Sequence, residues 1–508
     1  MPPAKSSAEA AESRNRDEAA AMAPDARAQF LTMFPSIMLP MFLAVVDQTI
    51  VATALPAIAA SLGEVDRLSW IVVSYLVATT VAAPVYGRLG DLLGRRRLML
   101  VALGIFIGAS VLCALARSIE TLTVARVLQG AGGGGLMTLS QALVGEAIPP
   151  RERARYQGYL AAVAVSSNAF GPVAGGFLTQ HFGWPSVFLV NVPIGIAAAF
   201  LALRLPARPG NREPFRFDVL GLFLFAAFIT SALIALERAR VFVAAGGYGF
   251  PLLIVLAAVA AVFLIWRERR ARSPLLPIPL LQHAAIWRCD AMAACHGGML
   301  VSLITFLPLY FGIVHGTSAS TTGLLMLPMT AGIGIGSLVT GRIVSRTGRT
   351  AIFPSVGMTI VASVLALIAF AAPFLPPVSI AAIFGATAIF MGSVMGVVQL
   401  TVQLASGPKQ LGAGAATVQF SRSLGAALGT ALVGTVLFAT LAATSPEASA
   451  GFARILEGGP GTLATLGAAE RQAIREGLDL AFRNAFLCTA VFSGFAAILA
   501  WTLPIRRL

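Results

Sequence analysis

The sequence predicts an all-α integral membrane protein built as two bundles of six helices with two further helices between them. Three observations predict it. Hydrophobic residues make up 57% of the 508 and charged residues only 11%, with a mean hydropathy of +0.83, whereas a soluble domain carries about 25% charged residues. Apolar stretches of about 20 residues, the length a helix needs to cross a hydrocarbon core, recur along the chain. The chain also repeats itself: GRLGDLLGRR (87–96) and GRIVSRTGRT (341–350) lie 254 residues apart, and the same offset sets NAFGPVAGG (168–176) beside RSLGAALGT (422–430).

Taken in order, residues 1–29 are rich in alanine and in charges of both signs and read as a disordered cytoplasmic tail. No cleavable leader is expected. Spans near 31–54, 68–88, 97–116, 121–145, 155–178 and 186–204 make a first bundle at 30–204. Two more, 217–236 and 248–266, fall within 205–283 between basic linkers. The last six, 289–313, 322–342, 350–372, 376–405, 412–440 and 481–503, make a second bundle at 284–508. That bundle includes an outer loop, 441–480, with an amphipathic stretch, AAERQAIREGLDLAFR.

Fourteen spans put both termini on one side, and most of the 36 Lys and Arg residues fall in loops on that side. Cytoplasmic loops collect basic residues, so both termini are expected in the cytoplasm. Heavy use of Ala, Gly and Arg with few lysines points to a bacterial plasma (inner) membrane. A parallel repeat about an axis along the membrane normal is a transporter design in which the halves rock around a central site.

The net charge of +14 does not point to nucleic acid, because the basic residues sit in short loops without a basic stripe or RNA- or DNA-binding motif. Cys113, Cys289, Cys295 and Cys488 lie in or beside apolar runs without CxxC spacing, so neither a disulfide nor a metal site is expected. Gly132–Gly135 lacks the GxxxxGK[ST] pattern of a phosphate cradle. The chain is therefore read as no enzyme, with no cofactor and with the proton gradient as its energy source.

In GRLGDLLGRRRLML (87–100), Gly87 and Gly94 permit a tight turn and close helix approach. Asp91 can accept from backbone amides at a neighbouring helix end or pair with an arginine, forming a gating latch with Arg88, Arg95 and Arg96. Membrane anchoring by the arginines alone is the plainer reading.

These motifs resemble the major facilitator superfamily, and within it the fourteen-helix drug:proton antiporter branch. GRLGDLLGRRRLML resembles its loop between helices 2 and 3, LTVARVLQGAGGGG (122–135) its helix 4 motif, GPVAGG (171–176) its helix 5 antiporter motif and VVDQTIVATALP (45–56) its helix 1 signature. WPSVFLVNVPIG, FDVLG and RSLGAALGTAL extend the match, which spans about 31–505 and departs at Ala52, Pro185 and Gly312. The resemblance implies the major facilitator fold. It also implies export of amphipathic or cationic organic compounds, drugs or toxic metabolites, in exchange for protons by alternating access. Small-molecule substrates, protons and the lipid bilayer are then the partners, with a periplasmic adaptor protein a further candidate at the outer loop. A dedicated metabolite exporter, a proton-coupled nutrient importer and a non-transporting scaffold or sensor are the competing readings.

Asp47 lies deep in a span, where a charge costs about 2.5–3.5 kcal/mol or more. It is expected to face the cavity and exchange a proton for substrate, or else to serve as a structural partner for a nearby Arg. Arg126 cannot shed its proton and is expected to find acceptors, Gln129 among them, with proton coupling implied by the resemblance. Gly171, Pro172, Gly175 and Gly176 form a small-residue face that the resemblance places between helices 5 and 8. In the second half, Arg422 needs an acceptor, and His296 is read as a histidine satisfied by a helix carbonyl, a proton relay with Asp290 being the alternative.

Overall fold

The computed structural model describes residues 7–62, 68–206, 218–244, 249–271, 278–317, 319–444 and 468–507. The first bundle comprises α1 (Ser7–Leu62), α2 (Ser69–Leu93), α3 (Arg95–Ala114), α4 (Ile119–Ala147), α5 (Pro150–Phe182) and the short pair α6 (Ser186–Leu189) and α7 (Asn191–Ala202). Next come α8 (Val219–Ala244), α9 (Gly249–Glu268) and the single turn α10 (Ile278–Gln282). The second bundle comprises α11 (Ala284–Ile313), α12 (Ala319–Thr347), α13 (Ile352–Ala371), α14 (Pro377–Ser406), α15 (Leu411–Thr444) and α16 (Ala468–Trp501).

Local chemistry sets the boundaries. Gly94, at φ +95°, separates α2 from α3, and Gly348, its counterpart in the repeat, has φ +67° after α12. Only glycine adopts such a φ without strain, so the turn is conserved between the halves by geometry as well as by letters. Ser118 and Thr121 form a reciprocal capping box at the start of α4. Pro150 and Pro377 stand in the first turns of α5 and α14, where a missing N–H costs nothing.

The two bundles pack alike. In the first, α1 lies on α5 and α2 on α4; in the second, α11 lies on α15 and α12 on α14. Close packing in the first bundle depends on the glycine run of α4. A Cβ at Gly130 would come 2.5 Å from the Tyr75 carbonyl oxygen, and one at Gly132 would come 2.8 Å from the Ala102 carbonyl oxygen, so this run is a helix face wedged between α2 and α3. The hairpin α8–α9 flanks α2 and α15, with Phe225 and Phe420 ring centroids 5.3 Å apart.

Ten helices among the described residues are long and apolar enough to cross a membrane. With α4, α5, α8 and the α6–α7 pair they are compatible with the expected fourteen passes. Three expectations change. The backbone is helical from Ser7, not disordered to residue 29, because the alanine, glutamate and arginine of that stretch favour helix. The span at 186–204 is broken at Val190, because Pro193 has no N–H for the Leu189 carbonyl four residues back. The amphipathic stretch expected in the outer loop is the first part of α16. Residues 1–6, the linkers 207–217, 245–248 and 272–277, and loop residues 445–467 lie outside the described residues.

The α4 wedge makes a testable prediction. Gly130→Val should destabilise the protein by about 1–3 kcal/mol through overpacking, lowering its thermal midpoint in detergent. Gly104→Val, at a site with no atom within 4 Å, should lower it far less, and equal losses would contradict the wedge.

Candidate functional site

Three groups of polar residues stand out against the apolar framework, the first where the bundles meet at the end carrying the α2–α3 turn. There, α5 packs on α12 and α14, and α15 on α2 and α4, whereas α1 and α11 pack chiefly within their own bundles. The bundles are thus clamped at this arginine-rich end. At its centre Asp91 accepts from Gly412 N at 3.0 and 3.1 Å and from Ala413 N at 3.1 Å, both in the first turn of α15. Arg95 donates to Asp91 at 2.5 Å and also pairs with Glu146 of α4. A carboxylate suits this position because the first amides of a helix are unsatisfied and its dipole favours an anion there. The approach is tight: a Cβ at Gly87 would lie 2.5 Å from the Gly412 carbonyl oxygen.

A second cross-bundle contact is the repeat's image of this one, with Gly341 of α12 against Ala154 of α5. It lacks an acid, since Ser345 stands where the offset places Asp91. Gln403 of α14 donates to the Gln141 carbonyl of α4 at 3.0 Å. Arg88 is part-buried with its Nε unpartnered, and Arg96 is part-buried; neither takes part in the Asp91 contact.

The second group lies inside the first bundle. Asp47 is 0% and Arg126 1% exposed. Arg126 Nη1 donates to Asp47 Oδ2 at 2.5 Å and to Gln129 Oε1 at 2.7 Å, and its Nε donates to the Ile71 carbonyl at 3.1 Å. Gln129 Nε2 donates to Asp47 Oδ1 and to Ser110 Oγ, each at 2.9 Å, and Asn191 Nδ2 donates to Asp47 Oδ1 at 2.8 Å. The guanidinium also stands 4.1 Å from the Tyr75 ring centroid, a contact of about 2 kcal/mol when desolvated. Asp47 thus accepts three hydrogen bonds from protein groups, one of them within an ion pair. The expectation that it faces the cavity is corrected: α1 turns it inward, where α4 and α7 supply donors that water would otherwise provide and α2 contributes the Ile71 carbonyl that accepts from Arg126. Asn191, Ser110 and Tyr75 were missed in the sequence; the signal for Asn191 was an amide in an apolar run beside the Pro193 break.

The third group is central. Gln48 of α1 and Gln419 of α15 each direct Nε2 at the Met137 sulfur of α4, at 3.7 Å. Arg422, one turn along, donates to Gln419 Oε1 through Nε at 3.4 Å and Nη2 at 3.3 Å. It is part-buried, and no ion pair among the described residues includes it. His296 of α11 lies with Nε2 3.0 Å from the Met391 carbonyl, while Asp290 is buried with neither oxygen in a hydrogen bond. His296 is thus satisfied by a helix carbonyl of α14, as the plainer reading of the sequence has it, and the alternative relay with Asp290 is not formed.

A sequence profile of the Major Facilitator Superfamily matches residues 37–430. The chain belongs to the major facilitator superfamily. An uncharacterized member from Mycobacterium tuberculosis is 37% identical over 403 residues, which cover 79% of this chain and 58% of the relative. The chain thus aligns with under two thirds of that relative's length. The multidrug transporter protein MdtP of Bacillus subtilis is 32% identical over 80% of this chain and 75% of its own. Among solved structures of the superfamily, the human organic anion transporter MFSD10 matches with TM-score 0.63 at 15% identity, over 92% of this chain and 99% of its own. The proton:xylose symporter XylE matches with TM-score 0.61 at 14% identity, over 95% and 97%. At these identities the likeness is one of fold.

The superfamily resemblance placed the helix 5 glycines between α5 and α12, and the structure corrects this. A Cβ at Gly171 would lie 1.9 Å from Thr49 Oγ1 and one at Gly175 2.4 Å from the Ile50 carbonyl oxygen, both on α1, while Gly176 has nothing within 4 Å. The α5–α12 crossing is made nearer the arginine-rich end, by Ala154 and Gly158 against Gly341 and Ser337. Pro172 lies within α5, which runs unbroken around it.

Removing one partner of a buried ion pair costs about 3–5 kcal/mol because the other charge is left uncompensated. Arg126→Gln and Asp47→Asn should each lower the thermal midpoint sharply, and the double variant should lose less than the sum. Strictly additive losses in a double-mutant cycle would show that the two side chains do not act as a pair.

Proposed function

We propose that this chain is a secondary active exporter of amphipathic organic compounds that works by alternating access in exchange for protons. The observation that carries the reading is the Asp91 contact with the amides of α15, a charged but separable link between two bundles whose other described contacts are between uncharged groups. Hydrogen bonds to a charged group contribute about 1.5–3 kcal/mol each. A few such bonds bias a two-state equilibrium without fixing it. The relatives named multidrug transporter or efflux pump support export over import.

By the positive-inside rule the arginine-rich end faces the cytoplasm, so the clamped form is the one closed to the cytoplasm. Substrate would be held near Gln48, Met137, Gln419 and Arg422, where side chains of both bundles converge. Asp47, ion-paired in this form, would act through Arg126 and α4 on the seam where Met137 lies. A proton moving down a potential of 100 mV supplies about 2.3 kcal/mol, enough for a roughly fiftyfold gradient of neutral cargo. Exchange for a monovalent cation would draw on the pH term alone.

A second reading concerns cargo charge. Asp47 is neutralised by Arg126, whereas Arg422 has only neutral Gln419. An acidic group on the substrate would meet that cation bidentately, which favours amphiphiles bearing a carboxylate over purely cationic ones.

Everted membrane vesicles with an imposed pH gradient test both readings, using cationic dyes, carboxylate-bearing drugs and neutral antibiotics. Wild type should dissipate the gradient with some of these compounds, Asp47→Asn at least tenfold more slowly, and Arg422→Gln should lose the acidic compounds selectively. Dissipation by none of them in wild type would overturn proton-coupled export.

A further inference from the structure

The two carboxylates that lie deep in the two bundles are treated in opposite ways. Asp47 accepts three hydrogen bonds and pairs with an arginine. Asp290, on α11 six residues from its start, is 6% exposed, and neither oxygen has a hydrogen-bond partner. The Thr417 hydroxyl of α15 lies beside it and donates to the Gly414 carbonyl at 3.0 Å.

No cation compensates for this. The charged or titratable described side chains on the elements packed against α11 are Arg342 and Arg346 on α12, Arg422 on α15, and Glu476, Asp479, Arg483 and Cys488 on α16. The sequences of α10 and α14 contain none. On α11 itself stand Arg288, Cys289, Cys295, His296 and Tyr310. No ion pair among the described residues includes Asp290. An ionised carboxylate buried without partners is far costlier than the neutral acid.

Asp290 also touches the gate. Thr417 lies one turn beyond Gly412 and Ala413, the residues whose amides Asp91 holds, so Asp290 faces the segment of α15 that must move when the arginine-rich end opens. We propose that Asp290 is the proton-binding carboxylate of the second bundle, protonated while the arginine-rich end is shut and ionised when the bundles part there. The step is an acid dissociation: the Asp290 O–H bond breaks, and the proton passes to water admitted as α15 leaves α2. The structural assignment stands on geometry alone; its role in exchange rests on the export reading.

The test is infrared spectroscopy of the full chain in lipid nanodiscs at neutral pH. Wild type should show the carbonyl stretch of a protonated carboxylic acid, shifted in heavy water. Asp290→Asn should lose it and Asp47→Asn keep it. Asp91→Asn, which frees α15, should diminish it severalfold. A band that persists in Asp290→Asn, or that is lacking from both wild type and Asp47→Asn, would overturn the proposal, and the second comparison holds even if Asp290→Asn does not fold. Proton flux in everted vesicles with ethidium and a carboxylate-bearing dye as probes separates the two claims. Flux absent in wild type while the Asp290 band is present sinks the export reading alone. Wild-type flux retained in full by Asp290→Asn sinks the proposed role of this carboxylate alone.

Discussion

A single carboxylate, Asp91, links the two halves of this protein by closing on the otherwise unsatisfied first amides of α15. Everything else at that end is arranged to let it do so. Glycine at 87 and 412 brings α2 and α15 within backbone distance, Gly94 turns the chain so that Arg95 comes back to Asp91, and Glu146 holds the other side of Arg95. The link is polar, so water can replace it. Contacts among small apolar residues, by contrast, stay much the same whether or not a charge is present. Coupling energies of about 1–3 kcal/mol, or 5–150-fold in population, are what such a link can supply.

The internal repeat makes the asymmetry of the gate visible. Both halves carry the glycine crossing and the left-handed turn, at Gly87 and Gly94 and at Gly341 and Gly348. Only the first carries the acid, and Ser345 bonds within its own helix to the Arg342 carbonyl. One crossing is thus a charged contact and the other a steric one. The same division recurs in the interior, where Asp47 is surrounded by donors and Asp290 by none. One bundle holds an ion-paired carboxylate and the other a carboxyl without a hydrogen-bond partner.

Much of this was legible in the sequence, and what was not has physical causes. An acid followed four residues later by an arginine, at a glycine-bounded turn, can be recognised as a helix-end contact because the spacing is local. The pairing of Arg126 with an acid or a glutamine was likewise readable, since a buried guanidinium has to find acceptors. The direction in which Asp47 points was not, because the spanning part of α1, Met33–Leu55, is apolar around most of its circumference and its pattern marks no inward face. Small residues on α5 marked a close approach without saying which helix approaches, and the partner turned out to be α1. Asn191 reaches Asp47 only because the chain breaks at Val190, a long-range consequence of Pro193 that no periodicity encodes.

The central claim is that the arginine-rich ends of the bundles separate and rejoin, with Asp91 setting the balance. Distances between spin labels at Arg97 and Lys409, both exposed and on opposite sides of that contact, measure it directly in a background with the native cysteines replaced. The account predicts a dominant short distance in wild type with a minor long one, and a shift of at least fivefold toward the long distance in Asp91→Asn. A single short distance unchanged by the substitution would contradict it.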